Sequence, residues 1–154
     1  MSHTDRLTLF LDDRDNRSLS SARIKDRIPA ADRIRAAVQL WQQGGPVAER
    51  INSQAAELRR DRLARDVAGA ERRIKVSVVL GEITHRALAL ARIEDGIPAS
   101  ERVRAALRLW QQDPEFRAAA DQLATELRRR RIAARSAEHP QQDTTAPPDL
   151  AMTP

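Results

Sequence analysis

The chain is 154 residues long, with 27 Lys and Arg against 22 Asp and Glu (net +5) and only two Trp and two Phe as aromatics. It has no cysteine, which excludes a disulfide scaffold, a thiolate zinc site and a cysteine nucleophile, and His3, His85 and His139 are too scattered for a histidine metal centre. No apolar run approaches the roughly 20 residues that span a bilayer, and the first residues lack the apolar core of a signal peptide, so a cytoplasmic protein is expected.

Leu7, Leu9 and Leu11 alternate with Arg6, Thr8 and Phe10, which predicts a short strand with one buried face. A helix is expected over 15–26, ended by Arg27-Ile28-Pro29. The next helix, over 30–43, carries the stripe Ile34, Ala37, Val38 and Trp41 and stops at Gly44-Gly45-Pro46. A third, Arg-rich helix follows with Val47, Ile51, Ala55 and Leu58 on one face.

All of this then recurs 69 positions later. Ile28-Pro29-Ala30-Ala31-Asp32-Arg33-Ile34-Arg35-Ala36-Ala37 reappears as Ile97-Pro98-Ala99-Ser100-Glu101-Arg102-Val103-Arg104-Ala105-Ala106, and Leu40-Trp41-Gln42-Gln43 as Leu109-Trp110-Gln111-Gln112. In the second copy Ile74, Val76, Val78 and Leu80 alternate with Lys75, Ser77 and Val79. A helix over 82–95 follows, with Ile83, Ala87, Leu90 and Ala91 at helical spacing. Helices are next expected over 99–112 and after Asp113-Pro114, the last with the stripe Phe116, Ala120, Leu123 and Leu127, Asp113 as N-cap and Pro114 as first residue.

The chain thus divides into copy one (5–66), a connector (67–73), copy two (74–135) and a tail (136–154). The tail has four Pro, few large apolar groups, three acids and no Lys or Arg; it is expected to be disordered, and it dilutes a body of net +8. A copy of about 60 residues buries too little surface to be secure alone, so the two are expected to share one core as a pseudo-twofold intrachain dimer. Their single strands would pair antiparallel, covering the helices with one face. The other face would display Arg6, Thr8, Phe10, Lys75, Ser77 and Val79, and a two-stranded ribbon fits the major groove of DNA, where cations and hydroxyls suit base edges and phosphates.

The order strand, helix, Gly96-Ile97-Pro98-Ala99-Ser100-Glu101-Arg102-Val103-Arg104-Ala105-Ala106-Leu107, with a Trp in the second helix, resembles the ribbon-helix-helix family of bacterial DNA-binding proteins. Copy one departs from that turn, with Arg27 where the family has Gly and Ala31 where it has Ser, and the resemblance covers about 40 residues of each copy. It implies a mainly α fold with a two-stranded antiparallel ribbon, to which this chain adds a third helix per copy. It implies that the six outward ribbon residues read bases. It also implies that the starts of the second helices, Ala30 and Ala31, Ala99 and Ser100, bind phosphate, consistent with free amides and the helix dipole there. Arg33 and Arg102, with Arg35 and Arg104 nearby, are the candidate side chains for the same backbone.

The expected function is sequence-specific binding of double-stranded DNA, as a transcriptional repressor or a plasmid- or phage-type DNA-control protein in a bacterium, on an imperfect palindrome and with copies side by side on adjacent sites. The alternative is a protein-interaction module, such as an antitoxin holding a partner through its third helices or tail. No enzyme, cofactor, metal, membrane or small-molecule substrate is expected: the Asp, Glu and His lack catalytic spacing, and the five Gly are dispersed. Trp41 and Trp110 are expected in the core, Arg128 to Arg131 on a solvated helix face, and Thr84-His85 as a helix start.

Overall fold

A computed structural model of the chain describes residues 6–65 and 73–138. The tail beyond Glu138 and all of the connector except Arg73 therefore lie outside the described residues. The elements run β1 (Arg6–Leu11), α1 (Asp13–Asp26), α2 (Ala30–Gln42), α3 (Gly45–Arg65), β2 (Ile74–Val79), α4 (Glu82–Asp95), α5 (Ala99–Gln112) and α6 (Pro114–Glu138). The protein is mainly helical, with one two-stranded antiparallel sheet.

Local chemistry explains the boundaries. Asp12 caps α1 by accepting from the Asp15 amide at 2.8 Å, so the helix begins two residues earlier than its apolar spacing suggests. It ends at Arg27, whose φ of 63° is left-handed; Gly96 holds the same place after α4 at 73°. Asp26 and Asp95 then accept from the amides of Ile28 and Ile97, bending the chain into the next helix. Pro29 and Pro98 are the N-cap residues of α2 and α5, one position earlier than the first helical turn expected of them, and neither helix has a side-chain cap. Asp113 accepts from the amides of Glu115 and Phe116 and starts α6 at Pro114 as expected. Ser136 to Glu138 continue α6, so three residues assigned to the tail are helical.

In the ladder Arg6 pairs with Val79, Thr8 with Ser77 and Phe10 with Lys75. Thr8 and Ser77 are the same position of the two copies, so the ladder reads alike from either end. Alternation puts Leu9, Leu11, Val78 and the adjoining Leu80 in the core, where Ile34, Val103, Leu107 and Trp110 of the helices meet them. Both copies contribute to this single cluster. The third helices are exchanged between copies: α3 packs chiefly on α5, and α6 on α2.

The polar framework also repeats at the offset of 69 residues. Trp41 and Trp110 are buried, and their indole N–H groups donate to Asn52 and Asp121 at 2.8 Å. The guanidinium of Arg33 lies 5.5 Å from the Trp110 ring and that of Arg102 lies 5.5 Å from Trp41, each crossing to the other copy. Asp32 and Glu101 are buried acids, held by Arg35 and Arg131 and by Arg104 and Arg62 respectively. Arg131 is only half-buried, but it also reaches Asp32 at 2.6 Å and so ties α6 to α2, while Arg130 makes the expected surface pair with Glu126.

One stripe differs from expectation. In α4 the buried residues are Thr84 and Leu88, whereas Ile83, Leu90 and Ile93 are exposed. Thr84 donates to Gln42 of α2, which turns this helix by roughly a residue from the face drawn through Ile83 and Leu90. Among the described residues no helix is long and apolar enough to cross a membrane.

Candidate nucleic-acid interface

The outer face of the ribbon carries the six side chains that alternation singles out. Arg6, Thr8, Phe10, Lys75, Ser77 and Val79 are all exposed, and their neighbours Leu9, Leu11 and Val78 are sealed beneath them. The hydroxyls of Thr8 and Ser77 face each other at 3.4 Å in the middle of the face. Toward one end Lys75 stands opposite Phe10, and toward the other Arg6 stands opposite Val79. Each end therefore shows one cation beside one apolar side chain, and the centre shows two hydroxyls.

The ends of the ribbon are fastened to the helices by arginines. Arg35 donates through Nε to the Val79 carbonyl at 2.7 Å, and Arg104 does the same to the Phe10 carbonyl at 2.8 Å. Each lies early in α2 or α5, so the start of each of these helices is a neighbour of one ribbon end. Asp32 and Glu101 accept from the same guanidiniums and orient them. Sequence spacing placed Arg35 and Arg104 near a helix start but gave no sign of this clamp, because the partner is a backbone carbonyl far away in the chain.

Ala30, Ala31, Ala99 and Ser100 are half-buried at those uncapped helix starts. Arg33 and Arg102 are not available beside them. Their side chains are 1% and 2% exposed, because each turns inward to pair with Asp26 or Asp95 and to lie over a tryptophan of the other copy. As candidate phosphate contacts they are corrected to interior residues. Burial opposes ionisation of Asp26, yet hydrogen bonds from Arg33 and the Ile28 amide outweigh it and hold its pKa below the usual carboxylate value. Burial also lowers the pKa of Arg102, against the attraction of Asp95 and Glu94.

Among the described residues no group of His, Asp and Glu could hold a metal ion. Comparisons with protein-family models, with curated proteins and with solved structures find no match to this chain.

Proposed function

We propose that this chain is a single-chain, pseudo-twofold tandem ribbon-helix-helix protein that binds double-stranded DNA sequence-specifically. Its ribbon lies in the major groove, and its role is that of a repressor or a plasmid- or phage-type DNA-control protein. One observation carries the reading: a paired ribbon whose inner face is sealed into the core while its outer face presents Arg6, Lys75, Thr8 and Ser77 to solvent. A two-stranded ribbon has the width of the major groove, and Arg and Lys match the acceptor edge of guanine. The uncapped starts of α2 and α5, fastened to the ribbon ends, favour phosphates flanking the groove. Phosphate binding there rests on amides and the helix dipole, since Arg33 and Arg102 face inward.

The alternative of a partner held by the third helices is weakened by the packing. Ile51, Ala55, Phe116 and Ala120 belong to the core cluster and Val47 packs against it, with α3 chiefly on α5 and α6 on α2; among the described residues only Leu63 and Ile132, farther along these helices, are exposed large apolar side chains of α3 and α6.

The test is selection of bound duplexes from a random pool, followed by footprinting on the recovered site. An imperfect palindrome is expected, because Arg6 differs from Lys75 and Phe10 from Val79. Arg6→Ala or Lys75→Ala should each cost about 1–3 kcal/mol at the selected site. Affinity should fall steeply with salt as counterions are released. Removal of residues 139–154 should leave binding intact. Failure to retain any duplex at low salt overturns the proposal.

A further inference from the structure

Two of the six outward ribbon side chains have no place in a reading built on charge and hydroxyls. Phe10 is 44% exposed and Val79 39%, although each sits in a strand whose other apolar residues are largely covered. An exposed aromatic or branched side chain is unremarkable on its own. What singles these two out is their pairing: Phe10 faces Lys75 across the ladder and Val79 faces Arg6. Directly opposed side chains have Cβ atoms about 4.5–5.5 Å apart, so each apolar group and its cation address the same or the next base pair.

We infer that Phe10 and Val79 read thymine methyl groups, so that each ribbon end selects a guanine with its cation and an adjacent thymine with its apolar partner. This rests on the DNA-binding reading above and specifies its base preference. The chemistry is that of the groove itself: guanine presents two acceptors, and thymine alone presents a methyl group. The geometry fixes a spacing. Phe10 lies four residues from Arg6 in the same strand, and the two ends of the face are thus about 13 Å apart. At 3.4 Å per base step this is about four base pairs. Two methyl-sensitive positions should therefore flank the centre of the site, which lies under Thr8 and Ser77. Phe10 offers the larger surface, so its end should discriminate more strongly than that of Val79.

The experiment uses the full chain and the duplex recovered by selection, with each thymine replaced singly by deoxyuridine, which removes only the methyl group. Two central positions about four base pairs apart should each weaken binding, by about fourfold on average for the loss of one methyl-sized apolar contact and by more at the Phe10 end than at the Val79 end. Phe10→Ala should abolish the sensitivity at one of them, and Val79→Ala at the other. The sensitivity remaining at the opposite end reports that each variant is folded and docked. Full affinity for every uracil-substituted duplex, with specific binding intact, overturns the inference and leaves the DNA-binding reading standing. A selected site without thymine at these positions also overturns it. Absence of any selected duplex overturns both.

Discussion

The guanidinium of Arg33 lies over the ring of Trp110, a residue of the other copy, and not over its own copy's Trp41. Arg102 and Trp41 form the converse pair. These crossed contacts bind the two copies to each other within the core that both contribute to. A double-mutant cycle with Arg33→Met and Trp110→Leu, read by urea unfolding, should give a coupling of about 0.5–2 kcal/mol. The same cycle with Trp41→Leu should give a coupling near zero. Equal coupling to both tryptophans would contradict the exchange.

Asp32 is 1% exposed and depends on two arginines, Arg35 from its own helix and Arg131 from α6. Either one still leaves the carboxylate a cation. Arg35→Ala or Arg131→Ala alone should cost about 1 kcal/mol, while the double variant should cost about 3–5 kcal/mol, because the buried charge is then uncompensated. Chemical denaturation of the three variants checks this, and simple additivity would count against a shared site.

Arg27 occupies a left-handed position that Gly96 fills in the second copy. A non-glycine residue there bears about 1–2 kcal/mol of steric cost. Arg27→Gly should therefore raise stability by about 1 kcal/mol after the unfolded-state entropy of glycine is counted. Gly96→Ala should lose a comparable amount. A Cβ at Gly96 would meet only Arg59 Nη1, at an ordinary 3.6 Å, so the loss is conformational and not a clash. Thermal unfolding of both variants distinguishes the two signs.

Asp26 and Asp15 act oppositely on the acid side. The folded pKa of Asp26 is depressed, so its contribution is present above the unfolded value of about 3.9 and is lost as pH falls through the folded value. Burial raises the pKa of Asp15 despite Gln111 and Arg108. Its contribution is present below about 3.9 and is lost as pH rises through the folded value. Asp26→Asn should be destabilised at neutral pH, with the gap from the parent protein closing as pH drops below about 4. A gap constant with pH would show that its ionisation is not linked to folding.

The elements themselves are legible because each depends on local chemistry. Strand alternation from Arg6 to Leu11, the Asp113-Pro114 start of α6 and the Trp-containing stripes of α2 and α5 all follow from spacing and capping. Three features are not legible, for one shared reason. Which helix α3 covers, which of Arg33 and Arg35 turns inward, and which side of α4 is buried are settled by partners from the other copy. The stripe Val47, Ile51 and Ala55 announces an apolar face, but two near-identical copies offer it two near-identical targets. In α4 the hydroxyl of Thr84 finds Gln42, and Leu88 follows it into the core while Ile83 and Leu90 are left outside. Among the site residues, alternation alone separated the six outward side chains, whereas the carbonyl clamp by Arg35 and Arg104 left no local trace.

The exchange of α3 and α6 makes the covalent link between the copies thermodynamically consequential. Two unlinked copies would have to find each other, and their folding would depend on protein concentration. On one chain the partner is always present, because joining two modules makes their encounter intramolecular. Dilution therefore does not dismantle the ribbon, and its two ends can never be two copies of the same half. A homodimer must change both ends with every substitution; this chain can alter Lys75 and leave Arg6 as it is.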